Sequence, residues 1–274
     1  MSDVVGANLA GTGGTSRIGC VQYLNARPLI HGWPGKVVFD HPASLCRQLA
    51  NGRLDVSLVS SFEFLRNPIY LMVDGVCVSS QGPVYSVFVA HDCERSEITQ
   101  IAIDPASQTS VNLLRCLLGE ANLTPDLVLP RSSSEGEVKG KQAKLLIGDQ
   151  GIRFRMANAG KLCFWDLGEA WTTLTALPFV YAVWLIRPGV SNAKSVANRL
   201  RDCRDRNLEA LDSIIAAERE FSSSFCTHYL RECLAYCLGP AEMEGLNLFR
   251  TLSETHRIIE KTTTSCQTAP AQII

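Results

Sequence analysis

Short apolar runs separated by polar turns and helical patterns fill the first two thirds of this chain. These runs predict strands at 18–21, 37–39, 56–59, 70–78, 84–90, 101–103, 143–149 and 177–186. A helical pattern opens near Pro42 and closes at Gly52, and another covers 110–118. This alternation of strand and helix is typical of an α/β fold.

Beyond Pro188 the apolar residues take helical spacing, with charged residues on the opposite faces. The pattern predicts helices over 192–217, 225–237 and 241–259, with a break at Gly239-Pro240. Because the alternation restarts near residue 100 and returns near residue 185, we expect two α/β lobes. The predicted parts are a disordered tail over 1–16, lobe 1 over 17–97 and 187–262, lobe 2 over 98–186, and a frayed tail over 263–274. In such folds the ligand lies in a cleft beyond the carboxyl ends of the strands.

Composition narrows the class of protein. The chain has 274 residues, of which 46% are hydrophobic and 19% charged, with a net charge of -1, so a nucleic-acid partner is not expected. The first sixteen residues lack the basic start and apolar run of a signal peptide, and no apolar stretch is long enough to span a membrane. Eleven scattered cysteines without a C-x-x-C pair predict free thiols in a reducing compartment. We therefore expect a cytoplasmic protein without a membrane partner.

The common catalytic motifs are absent from the sequence. It holds no G-x-S-x-G, H-E-x-x-H, P-loop or G-x-G-x-x-G pattern, which argues against hydrolases, zincins and nucleotide-binding enzymes of those classes. Cys233 and Cys237 stand four residues apart near His228, a spacing open to metal binding, but the leucines between them favour buried thiols. We interpret His31 and His41 as structural or surface residues. No metal or other cofactor is expected.

Neutral polar side chains stand at the ends of the predicted strands. They are Asn25, Ser60, Ser61, Ser86, Thr109 and Ser110. Hydroxyls and backbone N–H groups at helix N-termini bind carboxylates. Serine and threonine are also common helix caps, so each one alone favours a structural role. Only their convergence at one edge of the fold would indicate a site for a small anion.

Several segments resemble one enzyme family in order and spacing. The opening IGCVQYLNARPL resembles the signature of the chorismate dehydratase family of the futalosine pathway to menaquinone. Similar landmarks follow in SSQGPVYSV, LLIGD, DLGEAWTTLTALPFVYAVW and YLRECLAYCLGPAEMEGLNLF, so the resemblance covers most of 17–250. It implies a two-lobed fold of the type II periplasmic-binding-protein kind, with an interlobe cleft. It also implies dehydration of chorismate to 3-[(1-carboxyvinyl)oxy]benzoate by a lyase without a cofactor.

The resemblance implies roles for individual residues. Asn25 takes the main catalytic role and donates a hydrogen bond to the departing hydroxyl or a ring carboxylate, although its side chain would also suit an Asx turn. The expected substrate-binding residues are Tyr23, Ser60, Ser61, Ser86, Thr109, Ser110, Gly148 and Asp149. Tyr23 is either a ring-stacking or a core residue, whereas Trp184 suits the core. The chain departs from the commoner family pattern at Gln150–Arg153, which leaves the role of that loop open.

The base and the wider function each have alternatives. Asp149 and Glu63 are titratable residues at motif edges, but a carboxylate facing a dianionic substrate repels it. The favoured hypothesis is that the enolpyruvyl carboxylate of chorismate takes the ring proton, with Asp149 alternatively a structural cap. Alternative functions are a solute-binding or sensor protein for a small aromatic carboxylate, or the sister enzyme that forms 1,4-dihydroxy-6-naphthoate. The expected partner is a small dicarboxylate, and the expected state is a monomer or homodimer.

Overall fold

Two five-stranded sheets form the framework of the protein. The computed structural model describes residues 16–104, 107–130, 138–260 and 273–274. The strands are β1 (Ile18–Cys20), β2 (Val37–Phe39), β3 (Val56–Ser60), β4 (Leu71–Ser80), β5 (Val87–His91), β6 (Gln100–Ala102), β7 (Asp126–Val128), β8 (Gln142–Ile147), β9 (Cys163–Asp166) and β10 (Phe179–Ile186). The first sheet has the order β2-β1-β3-β10-β4, and the second has the order β7-β6-β8-β5-β9.

Helices follow most strands and complete an α/β architecture. They are α1 (Arg27–Ile30), α2 (Pro42–Ala50), α3 (Ser61–Arg66), α4 (Gln108–Glu120), α5 (Gly148–Ala157), α6 (Leu167–Thr175), α7 (Ala193–Glu209), α8 (Leu211–Ala217), α9 (Ser223–His228) and α10 (Pro240–Thr255). Their ends follow the sequence signals: Pro42 opens α2, and α10 begins at the predicted Gly239-Pro240 break. The Gly239 N–H donates to Glu242 Oε2 at 3.0 Å and so caps α10.

Each sheet combines parallel and antiparallel strands. In the first sheet β1 pairs in parallel with β2 and β3, while β10 runs antiparallel between β3 and β4. In the second sheet β6 pairs in parallel with β7 and β8, while β5 runs antiparallel between β8 and β9. All five residues of β3 and of β5 are buried, so neither strand shows the apolar and polar alternation of a half-exposed strand.

Strand pairing does not follow the predicted lobe boundaries at 97/98 and 186/187. The prediction places β5 in the first lobe and β10 in the second, but β5 pairs with strands of the second sheet and β10 with strands of the first. The chain therefore crosses between the sheets within 81–86 and again within 176–178. An apolar run has the same periodicity in either sheet, so only the partner strands decide its membership.

The helix predicted over 225–237 ends early. After α9 a π-helical turn covers Tyr229–Cys233, and Leu234 is extended. Ala235 then exchanges two backbone hydrogen bonds with Ser79, at 2.8 and 2.9 Å. Ser79 lies on β4, an edge strand with free backbone groups, so pairing with that edge overrides the helical pattern.

The same edge strand pairs with the last residues of the chain. The Ile274 N–H donates to the Met72 carbonyl oxygen at 3.0 Å. The prediction of a frayed tail is therefore wrong for Ile273 and Ile274. Residues 263–272, and residues 1–15 of the tail predicted over 1–16, lie outside the described residues. Within the described part of the chain, no helix has both the length and the apolar content needed to cross a membrane.

Candidate active site

A cavity lies where the loops after several strands of both sheets meet. The space there is about 670 Å³, a figure that includes room open to solvent. Its apolar wall consists of Val21, Pro42, Leu58, Val59, Val78, Val84, Val87, Ile147 and Ala182. Its polar wall consists of Tyr23, Asn25, Ser60, Ser86, Ser107, Gln108, Thr109, Ser110 and Tyr181.

The structure brings most of the predicted site residues together at this cavity. The predicted residues that line it are Tyr23, Asn25, Ser60, Ser86, Thr109, Ser110 and Gly148. The fully buried Ser61 instead donates its hydroxyl to the Val180 carbonyl oxygen at 2.6 Å. Asp149 lines a neighbouring cavity with Gln22 and Arg27. A helix-cap role would not require these hydroxyls to lie close together. Their convergence is therefore the feature that distinguishes a site for a small anion from capping alone.

Asn25 lies in a short 3-10 turn, Leu24–Ala26, between β1 and α1. The Leu24 N–H donates to both carboxylate oxygens of Asp149, at 2.9 and 3.2 Å. Asp149 stands in the first turn of α5, so a carboxylate beside the second sheet holds the turn that carries Asn25. Burial raises the pKa of Asp149, and the hydrogen bond from Leu24 opposes that shift.

The ring of Tyr23 packs on the backbone of Gly148. Gly148 has φ of +58°, and a Cβ there would stand 3.2 Å from three Tyr23 ring atoms. Both the backbone conformation and the ring therefore favour glycine at this position. Burial raises the pKa of Tyr23, with the charges of Asp104 and Asp149 adding to the shift. Tyr23 is thus a neutral aromatic wall of the cavity.

Ser60 and Thr109 join the end of β3 to the start of α4. Their hydroxyl oxygens stand 2.5 Å apart, and the Thr109 hydroxyl also donates to the Tyr181 carbonyl oxygen at 3.0 Å. The four residues from Ser107 to Ser110 line the cavity. The first turn of α4, with the positive end of its helix dipole, therefore borders the cavity and favours an anion there.

Ser86 lies on a strained turn. The strand predicted over 84–90 begins only at Val87 in the structure, so Ser86 precedes it. The Ser86 N–H donates to the Val84 carbonyl oxygen at 2.7 Å, with Tyr85 between them at φ of +65°. This is a γ-turn with a positive φ, a rare and strained form. The buried Asp166 carboxylate accepts from the N–H groups of Val84 and Tyr85, at 3.0 and 2.8 Å.

An arginine completes this clamp around the turn. Arg155 Nη1 donates to Asp166 Oδ2 at 3.1 Å and to the Tyr85 carbonyl oxygen at 3.0 Å. Its guanidinium also lies 4.4 Å from the centre of the Tyr85 ring. The Ser86 hydroxyl thus stands at the cavity because charged groups outside the cavity hold its backbone.

Charged side chains do not line the cavity in the described part of the chain. Asp, Glu, His, Lys and Arg are all missing from the described lining. Glu63, the other titratable candidate, forms an ion pair with Arg66 at 2.5 Å. Among the described residues, no three His, Cys, Asp or Glu side chains come together as a metal site requires. The cavity therefore offers neutral hydrogen-bonding groups to its ligand.

Comparison with known proteins assigns the family. A family described as menaquinone biosynthesis matches residues 16–255. The chain belongs to this family. The chorismate dehydratase of Thermus thermophilus is 31% identical over 221 residues, which cover 73% of this chain and 80% of that protein. The chorismate dehydratase of Campylobacter jejuni is 26% identical over 229 residues, which cover 83% of this chain and 88% of that protein.

A solved structure supports the fold of this menaquinone-biosynthesis protein. A Candida albicans protein described as having the generic periplasmic binding protein fold superposes with a TM-score of 0.63. It is 11% identical, and the match covers 91% of this chain and 92% of that chain. The predicted α/β fold of two lobes, with an interlobe cleft and C-terminal helices, is confirmed, as is the predicted family.

Four polar residues of the site have no place in the sequence prediction. Ser107 and Gln108 directly precede the predicted Thr109-Ser110 pair, so the predicted start of this helix is the signal that could have identified them. Tyr181 lies inside the apolar run of β10, and its backbone carbonyl accepts from Thr109. Tyr229 opens the quoted landmark YLRECLAYCLGPAEMEGLNLF, but nothing in that segment gives it a site role, and its hydroxyl donates to Ser86 Oγ at 2.7 Å across 143 residues of chain.

Proposed function

We propose that this protein is a chorismate dehydratase, a hydro-lyase of the futalosine pathway to menaquinone. Its support is the neutral, hydroxyl-lined cavity in a member of the menaquinone-biosynthesis family that is similar to two curated chorismate dehydratases. Chorismate carries two carboxylates. Hydroxyls, amides and the start of α4 are groups that bind carboxylates without a full counter-charge.

The two ends of the cavity take different parts of the substrate in this proposal. One carboxylate binds at the end of the cavity lined by Ser60, Thr109 and Ser110, where the Ser110 hydroxyl and the first N–H groups of α4 donate to it. Asn25 and Ser86 face the reacting ring and donate hydrogen bonds to the departing hydroxyl and the nearby carboxylate, where negative charge develops. The Tyr23 ring covers the substrate ring from one side.

The reaction removes one water and makes the ring aromatic. The C–H bond that breaks is on the ring carbon that carries the enolpyruvyl ether, and the C–O bond that breaks is on the neighbouring carbon. The electron pair of the C–H bond becomes the new ring double bond, and the hydroxide leaves with the proton as water. Aromatisation supplies the driving force.

The base in this proposal is the substrate's own enolpyruvyl carboxylate. Asp149 is engaged with Leu24 and Glu63 with Arg66, and neither lines the cavity. The ether places the carboxylate close to the ring proton, and such intramolecular placement has a high effective molarity. The protein then contributes position and hydrogen bonds.

We place this reaction in the cytoplasm. The cysteines in the described part of the chain are free thiols, most of them buried. Unpaired thiols in this number suit a reducing compartment.

The test is to incubate the purified protein with chorismate, without added metal or nucleotide, and to follow products by liquid chromatography and mass spectrometry. We expect a product lighter than chorismate by one water. Asn25→Ala should lower kcat by roughly 100-fold, as expected for loss of one donor at developing charge. Asn247→Ala, at an exposed position on α10, is the control and should keep wild-type turnover.

Folded protein that leaves chorismate unchanged would contradict the proposal. If calorimetry then showed binding of an aromatic carboxylate without turnover, the solute-binding alternative would replace it.

A further inference from the structure

Tyr229 is not part of the cavity wall, yet its hydroxyl contacts Ser86, which is. The residue is fully buried, at 0% exposure. Its hydroxyl donates to Ser86 Oγ at 2.7 Å, and the Asn25 side chain lies nearby. A buried phenol therefore binds one of the two residues that face the reacting ring in the proposed function.

The surroundings of Tyr229 fix where this hydroxyl lies. The ring stacks on Phe225, with centroids 5.5 Å apart and an interplanar angle of 12°. Phe225 in turn packs against the Tyr85 ring at 5.1 Å, beside the strained turn that carries Ser86. The backbone is held by the π-helical turn and by the pairing of Ala235 with β4 that follows it. Single π-helical turns of this kind occur often at functional sites.

The hydrogen-bond directions set the orientation of the Ser86 proton. A tyrosine hydroxyl has one proton and two lone pairs. Because the Tyr229 proton goes to Ser86 Oγ, Ser86 has its own proton left to donate, and its hydroxyl makes no other hydrogen bond within the described residues. Ser86 lines the cavity, so that proton is free to be donated to a ligand there, and linked hydrogen bonds of this kind polarise one another.

The phenol acts as a donor rather than as a base. Burial raises the pKa of Tyr229 well above its ordinary value, so the hydroxyl keeps its proton through the neutral range. Its place outside the cavity wall also separates it from the substrate. Any effect of Tyr229 on the reaction therefore passes through Ser86.

We propose that Tyr229 is a positioning residue, which holds the Ser86 side chain and directs the Ser86 proton toward the substrate. This role rests on the proposed dehydration of chorismate. In this role the Tyr229 hydroxyl makes the C-terminal segment part of a site whose other residues include Asn25, after β1, and Ser86, before β5.

The test is the Tyr229→Phe variant, which removes one oxygen and keeps the ring in its stack. We expect kcat to fall by roughly tenfold or more, the value of one buried hydrogen bond, while KM changes by less than about threefold. In the Ser86→Ala background the added Tyr229→Phe change should alter kcat by less than about twofold, because the Ser86 hydroxyl through which Tyr229 acts is already absent.

Tyr236→Phe is the matched control. Tyr236 lies in the same segment and is buried, but its hydroxyl has no hydrogen-bond partner in the part of the chain that the structure describes. This variant should keep wild-type kcat, and thermal unfolding should show both variants folded.

Three outcomes would overturn the positioning role. Wild-type kcat in Tyr229→Phe would do so, as would losses in the Ser86→Ala and Tyr229→Phe variants that multiply in the double variant. An equal loss in Tyr236→Phe would assign the effect to packing. Wild-type protein that does not convert chorismate would reject the proposed function itself, and the positioning role with it.

Discussion

At the scale of single residues, Asp149 is a carboxylate at the site that does not face the ligand. Its oxygens accept the Leu24 N–H and so hold the turn of Asn25. Burial raises the pKa of Asp149, so the folded protein binds its proton more tightly than the unfolded chain does. Its charged form therefore lowers stability, and that cost appears as the pH rises through the unfolded pKa toward the folded one.

Asp149→Asn should therefore keep the turn and remove the charge. The amide oxygen still accepts from Leu24, so the free energy of unfolding at pH 7 should equal or exceed that of the wild type, and the difference should shrink below about pH 4. Turnover should stay within about threefold of wild type, because the substrate supplies the base in our proposal. Denaturant unfolding at several pH values and steady-state kinetics are the measurements.

Asp149→Ala is the contrasting variant. It leaves the Leu24 N–H without an acceptor, so unfolding free energy should fall by about 1–3 kcal/mol. A collapse of kcat in Asp149→Asn with chorismate binding unchanged would instead make Asp149 the base.

At the scale of elements, backbone strain appears at helix ends and at the turn that carries Ser86. Tyr85 is kept at φ of +65° by the Asp166 and Arg155 clamp described above. Ala176 ends α6 at φ of +60° without such a clamp and is exposed. The strain at Tyr85 thus serves the site, whereas the strain at Ala176 only terminates a helix.

Ala176→Gly should stabilise the protein. A left-handed conformation costs a non-glycine residue about 1–2 kcal/mol, and the greater chain entropy of glycine offsets about 0.5–1 kcal/mol of that gain. We expect the melting temperature to rise by about 1–3 °C, with turnover unchanged. Ala210→Gly, at the exposed end of α7 where φ is −95°, should lower it. Equal effects at both positions would show that the left-handed conformation is not the cause.

At the scale of the whole molecule, polar contacts at the cavity are among those that join the two lobes. The Ser60 and Thr109 hydroxyls meet at the end of β3, and Asp149 binds the turn of Asn25. An ion pair joins Arg153 on α5 to Glu220, and both side chains are about half exposed. Gln150–Arg153, where the chain departs from the commoner family pattern, thus supplies one of the contacts between the lobes.

Arg153→Gln should shift the balance of the lobes toward opening. An exposed ion pair contributes about 0–1 kcal/mol, so we expect KM for chorismate to rise by about two- to fivefold, with kcat unchanged. The rise should be largest at low salt, since salt screens the pair in the wild type. Arg231→Gln, which breaks an exposed pair with Asp212 away from the cavity, should leave KM unchanged. A fall in kcat rather than a rise in KM would place Arg153 in the reaction instead.

The sequence by itself determined the classes of element and most of the cavity wall. The spacing of apolar residues within one segment shows which of its side chains are buried and differs between strands and helices. The β-α-β order was therefore predictable from that spacing. Asn25, Ser60, Ser86 and Thr109 stand at strand ends, and strand ends of an α/β fold meet at one edge. Their convergence was therefore predictable as well.

Only the tertiary structure decided which strands pair and which distant groups complete the site. β10 has the same apolar pattern in either sheet, and its place is set by its register against β3. Asp149 meets Leu24 across 125 residues of chain, and Tyr229 meets Ser86 across 143. Periodicity and turn chemistry act over a few neighbouring residues, whereas these contacts depend on how complete elements pack.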